Sequence, residues 1–281
     1  MSVSAARALW EQYEPVHDVV YFAPESRASA ERAGLRGFWR GYFAMRAAPL
    51  GPVGPGPVTA AFHGFAATMT ARALPSVWSL CTPQAALDAR LAGACAALRR
   101  AGVPDAVGRA ADLAWAAASE IDVPGRVLAA ANADLPRPED PLAALWQAAT
   151  TLREHRGDGH VAVLVAEGIG PVLAHHLKAA AGDTDGEWLR TARGFDEQAW
   201  VAGADQARRR GWADASGALT ATGAVVRGEI ERRTDDAAAR PWAALGERRT
   251  AELAALLAPI AATVLAAGDV PAGNPVGLVR R

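Results

Sequence analysis

Phe195–Thr234 decides how the chain is read. It runs FDEQAWVAGADQARRRGW (Phe195–Trp212), ADASGALTATG (Ala213–Gly223) and AVVRGEIERRT (Ala224–Thr234). The first block has helical spacing and opens with Asp196 and Glu197, at the end where the helix dipole is positive. The second is a short turn around Ser216-Gly217 between two brief candidate strands. The third returns to helix, with Glu229 and Arg233 spaced for an i,i+4 pair. The expected order is therefore helix, two-stranded turn, helix.

Outward from that segment, helical spacing dominates and period-2 alternation is scarce. Leu87, Leu91, Ala94 and Leu98 share one face, behind Thr82 as N-cap and Pro83 at the first helical position. Gly102, followed by Val103-Pro104, is expected to stop that helix. Val107, Ala111, Ala114 and Trp115 mark a second apolar face. Leu142, Leu145, Trp146, Ala149 and Leu152 mark a third, which Gly157 is expected to end. Leu253, Leu256, Leu257, Ile260 and Val264 mark a fourth. Roughly eight or more helices fit, so the fold class is mostly α. GPVGPGP (Gly51–Pro57) reads as a loop or rigid turn. NADLPRPEDP (Asn132–Pro141) reads as the connection between two helical halves, residues 1–135 and 136–281. Leu9-Trp10 precedes His17-Asp-Val-Val as Leu145-Trp146 precedes His160-Val-Ala-Val, a pattern consistent with a tandem duplication.

The 281 residues carry a formal net charge of −1 and are 51% hydrophobic. That supports a sizeable core and excludes a polybasic, histone-like protein. Cys81 and Cys95 are too few for a metal cluster or a disulfide framework and read as small buried hydrophobes in a reducing cytoplasm. Met1–Tyr13 lacks the apolar run of a signal peptide, and Leu253–Ala267 reads as too short and alanine-rich to span a bilayer. A cytoplasmic protein with no membrane partner is expected. P-loop, dinucleotide and nucleophile-elbow motifs are all missing, so no cofactor is assigned.

Helix, two-stranded turn and helix form the ending of a winged helix-turn-helix. The pattern R-R-G-W-x-D…L-T-x-x-G resembles the wing of MarR-like regulators. In that arrangement Gly211 ends the recognition helix and Leu219 anchors the second wing strand in the core. HDVVYFAPE (His17–Glu25), GLRGFWRGYFAMRAAPLG (Gly34–Gly51), RALPSVW (Arg72–Trp78), LREHRGDGHVAVL (Leu152–Leu164) and NPVGL (Asn274–Leu278) extend the likeness over nearly the whole chain. With them the sequence resembles the actinobacterial proteins loosely called SalK-like, a helix-turn-helix group frequently encoded near natural-product genes. The resemblance implies winged helix-turn-helix elements embedded in a larger helical protein, with a degenerate copy in the N-terminal half. It implies a fold and no single activity.

Trp39, Tyr42 and Arg46 fall on one helical face. Arg46 there would grip a carboxylate or phosphate while the aromatics stack on a planar ligand. Tyr21, His63 and Arg72 complete the candidate ligand set. His17 with Glu25, or His63, is the candidate acid/base group. The alternative is an aromatic core with satisfied histidines. Arg153, Glu154, His155, Arg156, Asp158 and His160 place six ionisable groups in eight positions. An anion site, with Asp158 capping the following helix, stands there against a salt-bridged turn. His155, Asp158 and His160 lack a zinc-motif spacing, so no metal is assigned. His175 and His176 lie about 100° apart on a helix, and one is expected to face solvent.

For DNA the candidates are Arg190, Arg193, Arg208, Arg209 and Arg210, supported by Arg227, Arg232 and Arg233. Asp196, Glu197, Asp205, Asp214, Glu229 and Glu231 interleave with them and leave no net positive face. A homodimer would assemble one from two copies. Two main readings result. One is a transcriptional regulator of specialised metabolism that responds to a small planar or anionic metabolite. The other is a cofactor-independent natural-product enzyme or ligand carrier whose winged-helix scaffold no longer binds DNA. An interaction scaffold is the third.

Overall fold

A computed structural model describes residues 4–271, so Asn274–Leu278 lies outside the described residues. Those residues form fifteen α-helices and no strand. In chain order they are α1 Ala5–Phe22, α2 Pro24–Arg32, α3 Phe38–Ala47, α4 Pro55–Phe62, α5 Ala67–Ala71, α6 Pro83–Ala101, α7 Gly108–Ala118 and α8 Val127–Ala133. There follow α9 Pro141–Ala166, α10 Pro171–Ala180, α11 Gly186–Arg193, α12 Glu197–Arg209, α13 Ala221–Ala237, α14 Arg240–Leu245 and α15 Glu247–Ala266. The chain is mostly α.

Two compact units emerge, each assembled from separated stretches. The first takes the chain up to Val53, Ala73–Gly159 and Asp235–Pro271; the second takes Gly54–Arg72 and His160–Thr234. This grouping differs from a cut at Leu135. The Asn132–Pro141 prolines join α8 to α9 within the first unit, and Asn132 itself is buried in the last turn of α8.

In the first unit α1 packs on α2, α6 and α15, while α7 packs on α14 and α15. The local signals around α6 are realised. Thr82 Oγ1 accepts from the Ala85 N–H at 3.1 Å, Pro83 opens the helix and left-handed Gly102 ends it. Gly93 lets α2 approach closely, because a Cβ there would stand 2.7 Å from the Ser26 Cα. Cys81 and Cys95 are buried free thiols, and burial pushes the Cys95 thiol up to about 11. The 20-residue α15 is long and apolar enough to cross a membrane by length and composition, with a mean hydropathy of 1.4 over 18 of its residues. The sequence reading missed this by starting the segment at Leu253. Its Leu253, Leu257, Ile260 and Val264 are buried within the unit.

Two glycine and proline expectations fail. Pro55 and Pro57 lie in the first turn of α4, where the missing N–H would have had no intrahelical acceptor. Only Gly51–Gly54 is loop. Gly157 does not end the third helix: α9 runs through both Gly157 and Gly159. At Gly159 a Cβ would stand 2.6 Å from an Arg126 nitrogen. Arg126 uses that space to donate to the His155 and Ala237 carbonyls at 2.7 and 2.8 Å. Packing against this arginine offsets the roughly 1 kcal/mol helix penalty of a glycine.

The second unit is built on Val163, Leu164, Ile169, Leu173, Leu177, Ala207, Ala213 and Ile230. Helices α11 and α12 are joined through Gly194-Phe195-Asp196, with Gly194 at φ 78° and the Asp196 carboxylate capping the Ala199 N–H at 2.7 Å. Gly211, at φ 69°, stops α12 as expected. Its N–H reaches the Arg208 carbonyl, and the Trp212 N–H reaches that of Ala207. The expected pair of strands reduces to a single bridge, Ala213 to Leu219. Leu219 packs against the unit's core. The first unit has no such hairpin among the described residues.

Candidate functional site

Helix α1 repeats polar residues at four-residue intervals on its buried side: Trp10, Glu14, His17 with Asp18, then Tyr21. Helix α3 adds Tyr42 and Arg46, and α9 adds Thr150, Arg153 and Glu154. All belong to the first unit. Arg46 clasps Glu154 with two bonds of 2.9 Å and donates to the Tyr42 hydroxyl at 3.1 Å. Arg153 bridges Glu14 at 3.1 Å and Glu154 at 3.0 Å, and Trp10 Nε1 donates to Glu14 at 2.9 Å. Burial would raise the Glu154 carboxyl, yet Arg46 and Arg153 together hold it far below the ordinary range. Burial is also what raises Glu14 and Tyr21, against the pull of Arg153. Nearby Arg90 is buried on neutral acceptors, namely Met45 O, Asn132 Oδ1 and Gln147 Oε1. Burial brings it down to about 10.

His17 stacks on Trp146, 6.0 Å between ring centroids. Its Nδ1 lies 2.9 Å from Thr150 Oγ1 and its Nε2 3.0 Å from the Tyr21 hydroxyl. Burial, then Arg153, keeps the imidazole well below its ordinary pKa and hence neutral. Thr150 donates its one hydroxyl proton to the Trp146 carbonyl at 2.9 Å. Its oxygen can therefore only accept from His17, which places the imidazole proton on Nδ1. Bare Nε2 then accepts from Tyr21.

Tyr21 and Tyr42, with ring centroids 5.2 Å apart, also line a small, partly open pocket between α1, α2 and α3. Val20, Ala30, Leu35, Phe38 and Met45 supply most of the rest of its wall. Arg27 and Glu31, paired at 3.2 Å, are its charged members.

The sequence-based set is thus partly assembled. Tyr21, Tyr42, Arg46 and His17 converge. Arg46, expected to grip an anion, is held here by the Glu154 carboxylate and the Tyr42 hydroxyl. Trp39 packs on Phe38, Tyr42 and Phe43 and does not line the pocket. Glu25 is not paired with His17: it bonds Arg100 from the first turn of α2. His63 and Arg72 belong to the second unit. There His63 sits at φ 53° at the end of α4 and Arg72 is exposed.

The crowded 153–160 stretch divides along α9. His155 bonds Asp122 at 2.7 Å and Arg156 bonds Asp235 at 2.7 Å. Asp158 caps α8, an earlier helix rather than a following one, accepting from Leu128 and Ala129 N–H at 2.9 Å each. His160 meets Thr234 at 3.0 Å. These partners replace the anion site. No three metal-ligating side chains converge among the described residues.

In the second unit the arginines proposed for DNA are largely engaged. Arg190 bonds Glu187 at 2.5 and 2.8 Å, and Arg208 bonds Asp205 at 3.0 Å. Arg193 stacks on Phe65 at 4.4 Å. Arg210 reaches the Glu167 and Gly168 carbonyls and covers Trp212. Arg209 is exposed. Glu229 pairs with Arg232 rather than Arg233, which bonds Glu167. The acid at the hairpin tip holds the turn together, since Asp214 Oδ1 accepts from Ser216 N–H, Ser216 Oγ–H and Ala218 N–H. Neither His175 nor His176 is left to solvent alone, since they bond the Gly64 and Trp200 carbonyls at 2.9 and 2.7 Å.

Sequence reasoning missed Glu14 and Thr150. The i,i+4 repeat through Trp10, Glu14, Asp18 and the Trp146–Thr150 step on α9 were the available signals. Comparison with curated proteins and with solved structures finds no match. A protein-family model described as a helix-turn-helix family matches residues 6–271. That match covers nearly the entire chain, including α11, its three-residue turn and α12, and the protein belongs to this helix-turn-helix family.

Proposed function

We propose that the protein is a cytoplasmic transcriptional regulator that reads DNA with its second unit and responds to a small molecule held by its first. The observation that carries this reading is the succession α11, turn, α12 and closed hairpin in a member of a helix-turn-helix family. Helix α12 would enter the major groove, presenting exposed Gln198, Val201, Ala202, Arg208 and Arg209, and the Ala213–Leu219 hairpin would act as a minimal wing. The SalK-like grouping, a tandem origin, a role in specialised metabolism and a homodimer belong to the same proposal.

Titration of the purified protein against its own upstream DNA at low and moderate salt tests it. Nanomolar, sequence-selective and salt-sensitive binding is expected. Binding absent even at low salt would overturn it.

One observation favours a second reading, a ligand carrier or cofactor-independent enzyme. The helix-turn-helix arginines are mostly paired with acids or carbonyls, whereas the first unit holds a neutral His17–Tyr21 pair beside a pocket. His17→Ala distinguishes the two. In a regulator it leaves DNA affinity intact and changes only the ligand response. In an enzyme it abolishes turnover.

A further inference from the structure

The segment Gly54–Arg72 leaves the first unit after Val53 and rejoins it at Ala73, and in between it packs within the second unit. It is braced from inside. The Thr59 and Thr70 hydroxyls meet at 2.5 Å, and the Phe62 and Phe65 ring centroids lie 6.4 Å apart. At its bend His63, at φ 53° and ψ −51°, centres a γ-turn that the Gly64 N–H closes on the Phe62 carbonyl at 2.5 Å. A residue with a Cβ holds that strained shape only where its neighbours fix it.

Those neighbours lie at the helix-turn-helix. The Ala66 N–H donates to the carbonyl of Arg193, the last residue of α11, at 3.0 Å. The same arginine lays its guanidinium over the Phe65 ring. Met69 is buried against Gly194, where a Cβ would stand 2.9 Å from the Met69 Cβ. From α10, His175 Nε2–H donates to the Gly64 carbonyl at 2.9 Å, and its ring centroid lies 5.9 Å from that of Phe195. Burial, then Arg193, brings this imidazole down to about 3, so the donor is neutral. One short stretch thus reaches Arg193 and Gly194 directly and Phe195 through His175, at the junction of α11 and α12.

We propose that residues 62–69 are a strap that holds α11 and α12 at their reading angle, so that DNA affinity depends on the strap being seated. This role rests on the DNA reading proposed above. Ala66 and Met69 need not touch DNA: they are positioning residues that act through Arg193 and Gly194. Seating and DNA binding are then coupled, and the coupling is reciprocal. Whatever a seated strap adds to DNA affinity, bound DNA returns to the seating of the strap.

Amide hydrogen exchange on the full-length protein tests this, first without DNA. The Gly194 and Phe195 amides are bonded to the Thr191 and Arg190 carbonyls at 3.2 and 3.0 Å. Met69→Ala should speed their exchange about tenfold while the amides of α13 keep the wild-type rate. Met69→Leu, which refills the space, should restore it. Phe65→Leu keeps an apolar side chain, removes the ring under Arg193 and should give a smaller acceleration at the same two amides. Acceleration spread evenly over the second unit in both Met69→Ala and Phe65→Leu, or none at the turn, would overturn the strap. With a duplex of the protein's own upstream DNA, exchange of the Ala66 amide should slow in the wild type. Met69→Ala should bind that duplex several-fold more weakly with an unchanged salt slope, since no phosphate contact is lost. An Ala66 amide left unprotected by tightly bound DNA, or undiminished affinity in Met69→Ala, would also overturn it. Failure of the DNA reading itself shows differently, as a wild type that binds no DNA while its turn still answers to Met69→Ala.

Discussion

Glu154 accepts from two guanidiniums in a place almost free of water, so its charge is tolerated only while both stay. Glu154→Gln leaves Arg46 and Arg153 short of a counter-charge. It should lower the unfolding free energy by roughly 3–5 kcal/mol in urea melts. Asp158 shows the opposite linkage. Burial, helped by the charge of Glu154, raises it from the ordinary 3.8 to about 6 despite two backbone N–H donors. A raised carboxyl favours the folded state below its unfolded pKa, and that contribution is lost as pH rises through the folded value. Between about pH 4 and 6, wild type should therefore lose stability relative to Asp158→Asn, which can keep both N–H bonds. Thermal melts across that window would show parallel curves if Asp158 titrated normally. At this scale the sequence was half legible. His17 with Tyr21, and Tyr42 with Arg46, stand at i,i+4 and announce shared faces. That Glu154 would saturate Arg46 from 108 residues away was not legible, because no local spacing encodes a long-range ion pair.

Among the elements, caps and stops were the most legible feature: Thr82, Pro83, Gly102 and Gly211 act where their backbone chemistry demands. Interior glycines and clustered prolines misled, since their cost depends on what packs beside them. A pair of substitutions separates the two kinds of glycine. At Gly157 a Cβ would meet only Glu154 Oε2 at 3.8 Å. Gly157→Ala should raise stability by about 0.5–1 kcal/mol through helix propensity. At Gly93 the Cβ would strike the α2 backbone at 2.7 Å. Gly93→Ala should lower stability by roughly 1–3 kcal/mol despite the same propensity gain. Equal shifts for the two in chemical denaturation would contradict this account of the α2–α6 contact.

For the whole molecule, a net charge of −1 means that the proposed DNA binding would rest on local arrangement of charge. Arg208 faces Asp205 on the surface of α12 at 3.0 Å, a pair of the exposed kind worth under about 1 kcal/mol. Asp205→Asn should release it and strengthen DNA binding a few-fold at low salt, with a steeper salt slope in gel-shift titrations. Arg208→Ala with Arg209→Ala should flatten that slope. The mostly helical class was legible because periodicity is a local property. The two units were not, because their stretches alternate along the chain, and although the Gly51–Pro57 break falls where Gly54–Arg72 departs, it says nothing of which later stretches that segment joins.

That alternation bears on how the chain acquires its structure at the ribosome. Gly54–Arg72 emerges long before the partners it shares a unit with, which end at Thr234. Helix α1, among the first to emerge, must wait for α15 to fill its flank. The first unit cannot close before Asp235–Pro271 is translated, whereas the second has its described stretches once Thr234 is made. Early synthesis therefore gives the first unit no head start, and α1 keeps part of its apolar side uncovered until α15 emerges.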